Sequence, residues 1–202
     1  MSLMSSISEK WQGCKEPFLV HSSGNITFSD IQNRAVNDLS EIKPGLVAAL
    51  IGDFDPVSIL TLFKLIERRA IILPLTVASL YDHEYFFEVG LVDFVIQNGS
   101  VSRRVHDKKH EFIATLRERG SPGLIAFSTG TTGRPKAILH DFNLFLKRFE
   151  TKRPALRTIN FLMFDHIGGL NTLFHTLFNG GLAIIPNDRS IDSVLTACNK
   201  YS

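Results

Sequence analysis

The 202 residues, 44% of them hydrophobic and 21% charged, describe a globular chain able to bury one sizeable core. A net charge of +2 is too small to argue for a nucleic-acid partner, and Cys14 and Cys198 lie far apart with no metal-ligand spacing, which disfavours a zinc site or a disulfide framework. No run of about 18 apolar residues suggests a membrane span, Met1–Lys10 lacks the apolar centre of a secretion signal, and isolated cysteines fit a reducing cytoplasm.

Residues 1–17 read as a leader and N-terminal segment, Met1-Ser2-Leu3 having the look of an added stretch before Met4. Beyond it, apolar strand-like runs alternate with helical patterns. That is the signature of an α/β fold, a layered and mostly parallel sheet or sheets with helices on both faces. Phe18–Val20 and Ile26–Phe28 flank Ser23-Gly24-Asn25, a hairpin signal. Ser29 or Asp30 then caps a helix predicted to run to about Ser40, Lys43-Pro44-Gly45 turns the chain, and Leu46–Ile51 is a buried strand. Asp55 and Pro56 suit the cap and first position of a helix reaching Arg69, which makes Asp53 and Asp55 loop and cap rather than a catalytic carboxylate pair. Ala70–Leu75 reads as strand, Asp82–Val89 as a short helix and Asp93–Gln97 as strand.

The alternation breaks at residues 98–111. Asn98-Gly99-Ser100 is a turn, and 101–111 is a charged link with Arg103, Arg104, Lys108 and Lys109 between a first α/β half, 18–100, and a second, 112–202. A patch for nucleic acid or CoA phosphates would want interleaved aromatics, which this stretch lacks, so a solvated link is the simpler reading. The second half repeats the pattern: helix over Phe112–Arg119, strand over Gly123–Phe127, a returning strand at Ala137–Leu139, helix over Asp141–Glu150 and strand over Thr158–Met163. From Ile167, Leu170, Leu173, Phe174, Leu177 and Phe178 recur at helical spacing until Asn179-Gly180-Gly181, and Leu182–Ile185 is the next strand.

Chemistry concentrates at Ile125–Lys136, an apolar strand running into hydroxyls, glycines and one lysine. Gly130 and Gly133 let backbone N–H groups approach an anion. Ser128, Thr129, Thr131 and Thr132 add hydroxyl donors, Lys136 adds a positive charge, and Pro135 stiffens the approach to it. The order of parts suits a polyphosphate. It is not a Walker A loop, because Arg134 and Pro135 separate Gly133 from Lys136, and it is not a dinucleotide-binding turn.

Ser-Thr-Gly-Thr-Thr-Gly-x-Pro-Lys at 128–136 resembles the phosphate-binding signature of the acyl-adenylate-forming enzymes, the superfamily of acyl-CoA synthetases, nonribosomal peptide synthetase adenylation domains and firefly luciferase. Leu73-Pro74-Leu75, Val92–Ile96 and Asp165-His166-Ile167-Gly168-Gly169-Leu170 followed by Asn179-Gly180-Gly181 resemble, in the right order, other segments of that superfamily, over about residues 18–185. The resemblance implies the first part of the large N-terminal domain of an AMP-forming ligase. Such an enzyme joins a small carboxylic acid to ATP, releases pyrophosphate, and passes the acyl group to the thiol of CoA or phosphopantetheine. It implies that Ser128, Thr129, Gly130, Thr131, Thr132, Gly133 and Lys136 hold the β- and γ-phosphates of magnesium-bound ATP, with Lys136 as the point charge. It further implies that His166 walls the acyl site, while Gly168 and Gly169 offer N–H groups to the carboxylate. His140 falls four residues after the lysine, where many members have their histidine six residues after.

Later superfamily motifs, including the acidic magnesium ligand, the ribose-binding aspartate and the lysine of a small C-terminal lid domain, have no counterpart before Ser202. The expectation is therefore a chain inactive by itself, completed by a missing C-terminal portion or a second polypeptide, with no metal ligand of its own. The alternative is a non-catalytic nucleotide-binding or protein-interaction module derived from the same fold.

Overall fold

A computed structural model describes residues 3–36, 38–128 and 133–201. The chain begins with helix α1, Leu3–Trp11, inside the stretch expected to be a leader; Ile7 and Trp11 are buried, and the Trp11 indole donates to the Leu177 carbonyl at 2.8 Å. The predicted hairpin follows as β1, Pro17–His21, and β2, Gly24–Thr27.

Helix α2, Phe28–Gln32, is much shorter than predicted. Its cap is Thr27: the Thr27 Oγ1 accepts from the Asp30 N–H at 3.2 Å, and Asp30 accepts from the Thr27 N–H at 2.7 Å, a reciprocal capping box. It closes at Asn33, whose N–H donates to the Ser29 carbonyl at 3.1 Å, and farther on the Asp38 carboxylate accepts from the Ser40 N–H at 2.8 Å in a local turn.

Next come β3, Val47–Ile51, buried throughout, and α3, Pro56–Glu67, capped as expected by Asp55, which accepts from the N–H groups of Val57 and Ser58 at 2.9 and 3.0 Å. Strand β4, Ile71–Leu75, leads through a 3-10 turn at 77–82 into α4, His83–Gly90. Strand β5, Phe94–Gln97, turns at Asn98 and Gly99, both at positive φ, into β6, Ser100–Arg103. The charged link thus starts as an antiparallel edge strand. It is also tied down further on: Arg104 pairs with Glu84 through two hydrogen bonds of 2.9 and 3.1 Å, and His106 Nε2 lies 3.3 Å from Asp93.

Helix α5, Glu111–Glu118, precedes β7, Gly123–Phe127, and β8, Ala137–Asp141. Asp141 caps α6, Phe142–Lys147; β9, Arg157–Ile159, is shorter than predicted; α7, Ile167–Asn179, ends at Gly180 in the left-handed conformation. Strand β10, Leu182–Ile184, and a helix with no sequence forecast, α8, Ile191–Tyr201, complete the described chain.

Two sheets result, ordered β2-β1-β10-β9 and β6-β5-β3-β4-β7-β8, parallel except at β2, β6 and β8. Side-chain alternation sets the layers. Ala48 and Leu50 of β3 join Phe63 of α3, Phe174 of α7 and Phe18 of β1 in a core shared by both sheets. Val47, Ala49 and Ile51 face the other way, with Phe86 and Phe87 of α4 and Ile113 and Leu116 of α5. Ala197 of α8 packs on Val20 and Ile184, on the far face of the four-stranded sheet.

Candidate functional site

Strand β7 runs parallel to β4 and delivers Ser128 at its C-terminal end, while β8 returns in unbroken register from Phe127↔Ala137 to Gly123↔Asp141. The chain leaving β4 goes back across the sheet to β5, and the chain leaving β7 goes outward to β8, so connections diverge between these neighbouring carboxyl ends. Open α/β sheets bind ligands at such a divergence.

The phosphate-loop candidate is pinched at its neck. The Ser128 N–H donates to the Lys136 carbonyl at 2.9 Å, and the Lys136 N–H donates to Ser128 Oγ at 3.1 Å. Ser128 is therefore partly engaged in shaping the loop. Thr129, Gly130, Thr131 and Thr132 lie outside the described residues. Gly133, Arg134 and Lys136 are exposed, and among the described residues a Cβ at Gly133 would meet nothing within 4 Å. Among the described residues no carboxylate pairs with Lys136. An exposed cation at a sheet's carboxyl edge can receive an anion with little desolvation cost.

Sequence reasoning missed the groups that brace this loop. Tyr85 of α4 donates its hydroxyl to the Pro135 carbonyl at 2.8 Å, and the Arg134 guanidinium lies 5.1 Å from the centre of the Tyr85 ring. Nothing local to Tyr85 signals a partner fifty positions away.

The second candidate cluster surrounds the start of α7. The His166 backbone caps the helix and its carbonyl accepts from the Gly169 N–H at 3.0 Å, with no side-chain cap bond from the imidazole. Gly169 is there for space: a Cβ would fall 2.7 Å from the Met163 carbonyl and 2.9 Å from the Phe54 ring. The Gly169 N–H is thus already spent within the helical turn, which reduces what the Gly168–Gly169 pair can offer a carboxylate. Aromatic side chains divide as packing would have it, Phe164 and Phe174 fully buried and Phe161 half exposed.

Asp165, also unremarked beyond its place beside His166, joins the two sheets. One carboxylate oxygen accepts from Thr76 Oγ1 at 3.4 Å, Thr76 being the first residue after β4. The other is buried and has no hydrogen-bond partner among the described residues, as is true of Oδ1 of Asn160, whose Nδ2 donates to the Gly169 carbonyl at 3.3 Å. Burial pushes the Asp165 carboxyl above its ordinary value, and Asp53 adds to the rise, while His166, the Asp165 main chain and Thr76 pull the other way. Thr76 is itself held by His83, whose Nε2 lies 3.0 Å from the Thr76 carbonyl. So the loop and the α7 cluster belong to the carboxyl ends of adjacent strands, β7 and β4, with Thr76 as the link between sheets. No direct contact joins Lys136 to His166. Among the described residues no group of three or more His, Cys, Asp or Glu could hold a metal ion, and no helix is long and apolar enough to cross a membrane.

No family model and no curated protein matches the sequence. Solved structures do match its shape. The o-succinylbenzoate-CoA synthetase MenE of Bacillus subtilis, with its acyl-adenylate intermediate, superposes with a TM-score of 0.68 at 16% identity over 97% of this chain and 59% of that one. The N-terminal subdomain of NpsA of Klebsiella oxytoca gives 0.72 at 14% identity over 98% and 60%. A luciferase-like enzyme of the mealworm Zophobas morio gives 0.68 at 17% over 96% and 56%. The fold is that of the N-terminal part of adenylate-forming enzymes. The chain spans between half and two thirds of the length of these three structures. MenE has also been solved with ATP and magnesium.

Proposed function

We propose that this chain supplies the polyphosphate-binding part of an AMP-forming ligase that activates a small carboxylic acid with ATP and then forms a thioester with CoA or a phosphopantetheine thiol. The observation that carries the reading is the neck at Ser128 and Lys136: a glycine- and hydroxyl-rich stretch pinched at the carboxyl edge, with an exposed lysine that pairs with no carboxylate among the described residues.

Adenylation brings anions together, so the catalytic demand is charge neutralisation and alignment. In this reading Lys136 provides the point charge against the β- and γ-phosphates and then the departing pyrophosphate. Ser128, Thr129, Gly130, Thr131, Thr132 and Gly133 supply hydroxyl and N–H donors around it. The acid lies toward His166 and Gly168, beside Gly169. Magnesium arrives with the nucleotide, and within these residues the chain's own contribution is to hold phosphate. Turnover belongs to the complete protein, and the 202 residues by themselves are expected to release no pyrophosphate from ATP and acid.

Titration calorimetry with ATP and magnesium tests this. Lys136→Ala is expected to weaken binding by about tenfold or more, the scale of one lost charge-assisted contact. Equal affinity for wild type and variant would remove Lys136, and with it the proposed site.

A further inference from the structure

We propose that Tyr85 is the positioning residue of the phosphate loop, holding the main chain on either side of Lys136 in the geometry that receives a polyphosphate. The inference rests on the phosphate-binding reading above and adds the element that prepares the site.

The argument concerns one peptide plane. The carbonyl of Pro135 and the N–H of Lys136 belong to the same peptide group. The carbonyl accepts from the Tyr85 hydroxyl at 2.8 Å, and the N–H donates to Ser128 Oγ at 3.1 Å. Both polar ends of that plane are therefore fixed. The next plane is fixed too, because the Lys136 carbonyl accepts from the Ser128 N–H at 2.9 Å. The Lys136 Cα sits between two held peptides while its side chain is exposed. Binding an anion at Lys136 then orders its side chain, while the main chain on either side of it is already held.

Tyr85 can hold because its own support is rigid. Its ring lies 6.3 Å from Phe127 and 5.8 Å from Phe86, and Phe86 in turn lies 4.4 Å from Phe127, the last residue of β7. One aromatic cluster thus fastens α4 to the strand that enters the loop, and the Tyr85 hydroxyl reaches across to the arm that leaves it. Arg134, 5.1 Å from the ring centre, is a second cation placed by the same side chain.

The test compares Tyr85→Phe with wild type in the full chain. This change keeps the ring and the Arg134 contact and deletes only the hydroxyl. Trypsin reports the arm directly: Lys136–Ala137 is cleavable, whereas Arg134 is followed by proline and resists. Loss of one hydrogen bond is expected to speed cleavage after Lys136 by about threefold to tenfold, with an unchanged urea midpoint. Affinity for pyrophosphate and for ATP should fall by about the same factor, while AMP, which lacks the β- and γ-phosphates, binds as before. Faster cleavage with unaltered pyrophosphate affinity would reduce Tyr85 to a structural brace and overturn the proposal. So would a variant indistinguishable from wild type in both assays when wild type binds pyrophosphate; the phosphate-binding reading would then survive without Tyr85. A wild-type chain that binds neither ATP nor pyrophosphate would overturn that reading and this inference together.

Discussion

Asp165 shows how burial sets the charge of a single group at the candidate acid site. Among the described residues one of its oxygens has no partner and the other has a long contact to Thr76, so solvation lost on folding is poorly replaced. Its folded pKa is raised above the ordinary 3.8, so between those two values the folded state keeps a proton that the unfolded chain has released. The stability tied to this proton is complete below the unfolded value and is lost as pH rises through the folded one. Asp165→Asn keeps the shape and removes the ionisation. Its urea midpoint relative to wild type is expected to move in the variant's favour between pH 4 and pH 7. A difference that stays constant across that range would show that Asp165 ionises in the folded protein as freely as in the unfolded chain. Asp53 adds only part of the rise, since Arg189 forms a two-bond pair with it at 2.6 and 2.7 Å.

Helix α7 illustrates what a segment owes to its neighbours. Its first-turn glycines look alike in sequence but face different surroundings. A Cβ on Gly169 would meet the Met163 carbonyl and the Phe54 ring, backbone and buried core that cannot give way. A Cβ on Gly168 would meet Leu162 Cδ1 at 2.6 Å, the tip of a partly exposed side chain that can swing aside. Gly169→Ala is therefore expected to destabilise by about 1–3 kcal/mol in urea unfolding. Gly168→Ala should stay within about 1 kcal/mol of wild type, helix propensity offsetting the displaced leucine. Equal costs at the two positions would contradict the close approach at Gly169. Elements with local signals were readable in advance, such as α3 behind Asp55-Pro56 and α7 ahead of its glycines. The helical pattern overran after β2, where α2 stops at Gln32. The periodicity of α8 gave no warning because Ile191 and Leu195 are exposed and only Ala197 is buried. The phosphate-loop string stood out because its chemistry is contiguous. Tyr85, Thr76 and Asp165 did not, because their roles arise from contacts made only after folding.

Alternation of strands and helices announces an α/β molecule, yet it does not say which strands become neighbours. The six-stranded sheet draws all its strands from residues 47–141, and its core on the α4–α5 side is self-contained there. The four-stranded sheet is assembled from distant parts: Leu19 of β1 pairs with Ala183 of β10, and Trp11 of α1 bonds to Leu177 of α7. Without β1 and β2 the remainder would be β9 and β10, two parallel strands of three residues each. A parallel pair so short does not persist alone, and its loss would loosen the segment from β9 through α7 that sets His166 and Asp165. Removing residues 1–27 is accordingly expected to abolish hydrogen-exchange protection at Ala183 and Ile184 while Ala49 and Leu73, in the middle of the larger sheet, keep most of theirs. Protection surviving at Ala183 and Ile184 would mean that α7 and α8 alone hold the smaller sheet. Uniform loss at all four positions would mean that the two sheets unfold as one cooperative unit, joined through the shared core of Phe63 and Phe174.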